Sequence, residues 1–204
     1  MYRKFIKRLL DIVLSALGLV LLAIPMLVFA LIIRSEDPGP ALFRQKRVGI
    51  GKSHFEVLKF RSMKMSTPHD MPTHLLKDPE QYILKCGKWM RKLSIDELPQ
   101  LINILKGDMS IIGPRPALWN QFDLIAERDR YGANDVRPGL TGWAQINGRD
   151  ELEIGEKARL DGEYVQKISF GFDIKCFLGT VRSVLRSDGV VEGGTGAMNG
   201  EQKK

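Results

Sequence analysis

Two adjacent carboxylates, Asp96 and Glu97, lie in a stretch whose other residue types suit phosphate chemistry, 91-RKLSIDELPQLINILKGDMSIIGPRP-116. Arg91 and Lys92 precede the pair, and the turn Gly113-Pro114-Arg115-Pro116 follows it. Carboxylates beside guanidinium groups are what a site needs to hold a divalent metal and phosphate together. Arg115 stands between two prolines, so little rotational freedom is lost when it clamps a phosphate. The spacing Ser94-x-x-Glu97 also reads as a capping box at the start of a helix 98–105. Pro99 sits more comfortably in the first turn if Asp96 is the N-cap. Capping and catalysis both remain open from spacing alone. A helix N-terminus favours anions and lowers the pKa of nearby carboxylates. An ionised Asp96 could then attack phosphorus while Mg²⁺, held by Asp96 and Glu97, bridges phosphate oxygens.

Other polar residues are weaker candidates. Lys59-Phe60-Arg61-Ser62 flanks an aromatic with two cations, which suits phosphate binding or simply blunts a hairpin edge. The segment Gly49-Ile50-Gly51-Lys52-Ser53 lacks the glycine spacing of a P-loop. His54, His69 and His74 have no acidic or cysteine companion at ligand spacing and read as loop residues. Cys86 and Cys176 belong to no paired motif and read as reduced core thiols, with a single disulfide as the alternative.

The elements that must position these groups begin with a lipid-seeking segment. From Ile12 to Ile33 the chain is almost wholly apolar, interrupted by Ser15, Gly18 and Pro25. As a helix it would run roughly 33 Å, enough for a bilayer core of about 30 Å. Pro25 removes an N–H and clashes with the preceding turn, so it should break the helix near its middle. Arg3, Lys4, Lys7 and Arg8 stand before the segment, and Arg34, Arg44, Lys46 and Arg47 after it. With both flanks basic, both ends read as cytoplasmic. The expectation is a re-entrant hairpin over 1–36, a single span being the alternative. Asp11 is expected at the interface within reach of Lys7 or Arg8.

Pro38-Gly39-Pro40 marks the boundary to the remainder, and the runs 41–45 and 55–60 predict a β-hairpin. A loop is expected over 65–79, a short helix over 83–92 and an exposed helix over 121–131. The segment 136–149 carries Gly139, Gly142 and Gly148 and has a backbone able to approach a ligand, or is a plain structural loop. Helix 173–186 puts Ile174, Phe177, Leu178 and Val181 on one stripe, to pack on the core or lie on lipid headgroups, with Asp173 as its N-cap. The tail 189–204 is poor in apolar residues and is expected to be loosely ordered. The fold class is therefore α+β: mostly helical, with a small β-hairpin, a re-entrant N-terminal membrane helix and amphipathic surface helices. At 204 residues the chain has room for one ordinary domain, 37–188, plus the appendage. A net charge of +7 and a pI near 9.5 call for a polyanionic partner: nucleic acid, an anionic membrane or a phosphorylated substrate.

The motifs Lys7-Arg8-x-x-Asp11, Lys59-Phe60-Arg61-Ser62-Met63, 93-LSIDELPQL-101, 106-KGDMS-110, Gly113-Pro114-Arg115-Pro116 and 136-VRPGLTGWAQINGR-149 occur in this order. In them the chain resembles the monotopic phosphoglycosyl transferases, bacterial sugar transferases that begin capsule, exopolysaccharide or glycoprotein glycan assembly. The resemblance runs from about residue 1 to 190. It implies transfer of a phosphosugar from a UDP-sugar to undecaprenyl phosphate, with Mg²⁺, at the cytoplasmic face of the bacterial inner membrane. By the family pattern Asp96 is the nucleophile of a covalent phosphosugar intermediate that releases UMP, and Glu97 is a metal ligand or acid/base partner. Lys59, Arg61, Arg91 and Arg115 would hold phosphate groups, and Arg137 with Gly139 would contact the nucleotide. Trp143 could stack on uracil or sit in the core. Members often carry Ser-Pro at the membrane break where this chain has Ile24-Pro25. The expected partners are therefore UDP-sugar, undecaprenyl phosphate and membrane lipid, with no nucleic acid; a homodimer fits, but no motif demands it. The competing reading is a non-catalytic, membrane-tethered basic module that binds anionic lipid or nucleic acid. Such a module has no use for an acidic pair framed by arginines.

Overall fold

The computed structural model describes residues 1–67, 79–148 and 152–186. It shows an α+β fold, mostly helical with two small sheets. A wide π-helical turn, Tyr2–Ile6, leads into helix α1, Lys7–Leu21, and after a break at Leu22 comes helix α2, Ala23–Glu36. The two arms meet at 61°. Pro25 in the first turn of α2 has no N–H to return to the carbonyl four residues back, which accounts for the bend where the sequence predicts it. Among the described residues no single helix is long and apolar enough to cross a membrane, whereas this bent pair passes by length and composition.

Helix α1 is polar on its buried side. Asp11 and Ser15 are its buried residues, while Leu9, Val13, Leu17, Val20 and Leu21 are exposed. Its buried side is fastened by three charged residues. Lys7 bonds the Asp173 carboxylate at 2.7 Å, and Arg8 donates to the carbonyls of Ile104 and Leu105. Asp11 accepts from the Ser110 hydroxyl and the Ile111 N–H. Asp11 is thus paired with the body of the protein, not with its helical neighbours as spacing predicts. A buried carboxylate gains more from two fixed donors than from an exposed i,i+4 cation.

The predicted hairpin forms, as strands β1, Leu42–Val48, and β2, His54–Phe60, antiparallel with Lys59 opposite Phe43. Helix α3 spans Lys85–Lys92 and helix α4 Gln100–Lys106. Asn103 on α4, almost fully buried, locks this helix to β2: its Oδ1 accepts from Leu58 N–H and its Nδ2 donates to the Glu56 carbonyl. Gly107, with φ 103°, ends α4 in the left-handed conformation that glycine tolerates best.

The segment 136–149, open to a loop reading, contributes to a second sheet that the sequence did not predict. Strand β3, Ser110–Ile112, runs parallel to strand β4, Gly139–Thr141. The glycines there serve packing between backbones. A Cβ on Gly139 would come within 2.1 Å of Gly113 N, and one on Gly142 within 2.1 Å of the Gly113 carbonyl. Helix α5, Phe122–Asp129, is not the wholly exposed helix expected: Leu124 is buried, and Arg128 forms a buried ion pair with Asp161. The short helix α6, Trp143–Ile146, precedes α7, Ile154–Lys167, and α8, Phe170–Arg186. Asp173 lies inside the first turn of α8 instead of capping it, and accepts from Tyr2, Lys7 and Tyr164. Elsewhere on α8, Ile174, Phe177, Leu178, Val181 and Leu185 are all exposed. Both cysteines are buried free thiols. His54 is exposed on β2, while His69, His74 and the tail 189–204 lie outside the described residues.

Gly139→Ala should lower stability by about 3 kcal/mol or more, because backbone cannot yield to the new methyl. Gly155→Ala, with open space at its Cβ in the first turn of α7, should be neutral or stabilising by up to ~1 kcal/mol. Thermal or denaturant melts of the two variants measure the contrast.

Candidate active site

The acidic pair sits in a single 3-10 turn, Ile95–Glu97, entered through Ser94 at φ 55° and leading by way of Pro99 into α4. No side-chain cap bond forms at Ser94, so the expected capping box is absent. In the left-handed conformation Ser94 cannot present its hydroxyl to the N–H of the third residue as an extended N-cap does. Both carboxylates are buried even so, Asp96 at 9% and Glu97 at 8% exposure.

Glu97 is the hub. Lys59 Nζ from β2 and Arg115 Nη2 from the proline-flanked turn each donate to its Oε1 at 2.8 Å. Arg115 Nη1 reaches Oε2 at 3.4 Å. Burial alone would push the Glu97 carboxyl up, but the Arg115 and Lys59 cations outweigh it and hold the pKa far below the ordinary range. Asp96 differs. It makes no side-chain hydrogen bond among the described residues, although Lys59, Arg91 and Arg115 all act on it electrostatically. Burial raises its pKa, and the neighbouring Glu97 charge adds to the rise against the pull of the three cations. A lowered pKa, expected from the helix N-terminus, is therefore corrected for Asp96: desolvation of an unbonded carboxylate exceeds a partial dipole charge. The outcome is a permanently ionised Glu97 beside an Asp96 whose proton is held more tightly than usual, two environments for two carboxylates.

Arg91, in the last turn of α3, has a buried Nη1 without a hydrogen-bond partner. A buried guanidinium nitrogen left unbonded is costly unless a ligand completes it. Lys59, Arg91 and Arg115 are thus gathered around the pair. Arg61 is engaged elsewhere: its Nε donates to the Pro40 carbonyl at 2.8 Å, and its two other nitrogens bond the carboxylate and carbonyl of Asp37. Arg61, itself buried, thus braces the exit of α2 with all three of its guanidinium nitrogens engaged. Arg137 donates to the Gly107 carbonyl at 2.9 Å and is otherwise exposed, and Gly139 is spent on the contact with Gly113. The partly buried Trp143 ring packs at 4.9 Å from Phe172 and under Lys175 at 4.7 Å, which joins it to α8. Asn103, which fixes the register that carries Lys59, was not legible as a positioning residue, because a mid-helix Asn offers no local pattern.

Among the described residues no three His, Cys, Asp or Glu side chains cluster as a metal cage. Mg²⁺ does not need one: it is commonly held by one or two carboxylates, with phosphate and water completing the octahedron. The Asp96 carboxylate beside Glu97, with no side-chain hydrogen bond among the described residues, fits that donor set.

Titration of ¹³C-carboxyl aspartate, with Asp96→Asn for assignment, should show Asp96 losing its proton above the ordinary carboxylate range. Lys59→Met removes a cation and should move that pKa further up; Glu97→Gln removes an anion and should move it down.

Residues 2–187 match the family model described as bacterial sugar transferase. An uncharacterised sugar transferase of Bacillus subtilis is 41% identical over 91% of this chain and 90% of its own length. The UDP-glucose:undecaprenyl-phosphate glucose-1-phosphate transferase of Caulobacter vibrioides is 42% identical over 89% of this chain and 70% of its own length. The Escherichia coli transferase of the same description is 39% identical over 87% of this chain, which spans only 40% of that longer protein. With nearly the whole of its length matched, and with the motifs that resemble the monotopic phosphoglycosyl transferases, this chain belongs to the bacterial sugar transferases.

Proposed function

We propose that the protein transfers a sugar phosphate from a UDP-sugar to undecaprenyl phosphate through a covalent Asp96 intermediate. The observation that carries this reading is a buried carboxylate, Asp96, with no side-chain hydrogen bond among the described residues, set among three cations, two of them fixed by Glu97. An Asp96 oxygen attacks the phosphorus that bears the sugar and forms an acyl phosphate. The bond from that phosphorus to the bridging oxygen breaks, and UMP leaves with that oxygen. The phosphate oxygen of undecaprenyl phosphate then attacks the same phosphorus, and the Asp96 carboxylate is displaced. Arg91 offers its unbonded nitrogen to the diphosphate, while Lys59 and Arg115 present positive charge held in place by Glu97. Charge is thereby stabilised where it develops, without reorganisation at the moment of reaction. Mg²⁺ held by Asp96 and Glu97 would supply neutralisation of the diphosphate oxygens. Burial favours the reaction in a further way, because a desolvated carboxylate is a stronger nucleophile than a hydrated one.

The membrane placement belongs to the same proposal. The bent pair α1–α2, residues 1–36, enters one leaflet and returns, and the exposed stripe of α8 lies on the same lipid surface. The body 37–188 then stands on the cytoplasmic face, where a water-soluble nucleotide-sugar and a lipid phosphate can both reach Asp96.

Asp96→Asn should abolish UMP release from a UDP-sugar supplied with Mg²⁺ and undecaprenyl phosphate, a loss of at least about 10³-fold; undiminished turnover rejects the nucleophile. Tags at the two ends of the chain should be labelled from the cytoplasmic side alone. Labelling from opposite sides would establish a single span.

A further inference from the structure

Helix α3 has only eight residues, and its N-cap, Leu84, offers no side-chain bond to the first N–H groups. Those groups are satisfied from another element. Glu36, the last residue of α2, accepts from the Lys85 N–H with Oε1 and from the Cys86 N–H with Oε2, the latter at 3.1 Å. The cap is supplied from a residue far back in the chain, at the point where the bent α1–α2 pair leaves for the body of the protein. Next to it Asp37 holds Arg61, so two consecutive carboxylates fix the exit of α2.

At the other end of α3 stands Arg91. Its Nη1 is buried without a hydrogen-bond partner, so the pose of the helix largely sets where that nitrogen points. Lys85 and Arg91 are about 9 Å apart along the helix axis. A tilt of ~10° about the capped end would move Arg91 by roughly 1.5 Å, and misplacements near 1 Å are enough to cost about 10²-fold in rate. Side-chain packing supports the same linkage. Ile33 of α2 shares a core cluster with Cys86 and Met90 of α3, and Phe29 meets Trp89 edge-on at 5.5 Å.

We infer that Glu36 is a positioning residue: by capping α3 from the end of α2 it fixes Arg91 beside Asp96, so the seating of the α1–α2 pair sets the phosphate-binding geometry. The inference rests on the proposed function for the role of Arg91. The contact itself does not.

The full chain in lipid nanodiscs provides the test. Glu36→Ala should speed amide exchange through Lys85–Arg91 by about tenfold and lower kcat/KM for UMP release by about tenfold. Glu36→Gln, whose amide oxygen still accepts from one of the two N–H groups, should recover most of both and guards against a variant that fails to fold. In an Arg91→Lys background, Glu36→Ala should cost less than about twofold more, because the two residues act through one pose. Unchanged exchange at α3, or the same tenfold loss in the Arg91→Lys background, overturns the inference. If the unmutated chain releases no UMP from any UDP-sugar, the transferase reading falls, and the exchange measurement still decides the Glu36 contact.

Discussion

The shared Glu97 carboxylate is the joint on which the site depends. A buried carboxylate is tolerated only if cations and hydrogen bonds replace the water it loses. Here the two cations arrive from separate elements, Lys59 from a hairpin strand and Arg115 from a turn after β3. Three segments distant in sequence must therefore converge on one pair of oxygens. Several features of the fold make sense as conditions for that convergence. Asn103 sets β2 against α4, and the Gly113–Gly139–Gly142 contact allows the Arg115 turn to sit flush on β4. Among the described residues the same cluster acts on Asp96 through charge and not through a side-chain hydrogen bond, which gives the two carboxylates different environments.

The N-terminal pair poses the reverse problem. Helix α1 exposes its apolar side chains and buries Asp11 and Ser15, an arrangement that is unfavourable in water and sound in lipid. A helix without apolar contacts to spare must be attached by polar ones. Lys7, Arg8 and Asp11 do this at one end, each to a different element, and Glu36 with Asp37 does it at the other. The lipid-seeking element is thus held at both ends by charged groups at its own ends that bond to the body of the protein. Specific bonds of this kind, unlike apolar contact, fix orientation as well as position.

Much of this was legible in the sequence where the signal is local. The apolar run with Pro25 inside it specifies a bent helical pair, because a missing N–H acts on its own turn. Alternation and glycines specify the β1–β2 hairpin. The stripe on α8 follows from helical periodicity, and its exposure shows that it does not pack on the core. The acidic pair framed by arginines, with the motif order, carries the resemblance to the family.

What required the tertiary structure is everything set by partners far along the chain. Arg61 and Arg91 look alike in sequence, yet one is saturated by Asp37 and Pro40 while the other keeps a buried nitrogen unbonded. Asp173 resembles a cap and is instead the acceptor for Tyr2, Lys7 and Tyr164. Strands β3 and β4 are three residues each, too short for periodicity to register, and exist because Ser110 and Gly139 meet across the fold. The pKa of Asp96 rises because folding buries it and sets the Glu97 charge beside it, a matter of solvation that no spacing encodes. Residue types and local order thus determined which chemistry is available and which elements form. Only long-range packing decided which charges are spent on structure and which remain to meet a substrate, since burial and pairing are properties of the assembled chain.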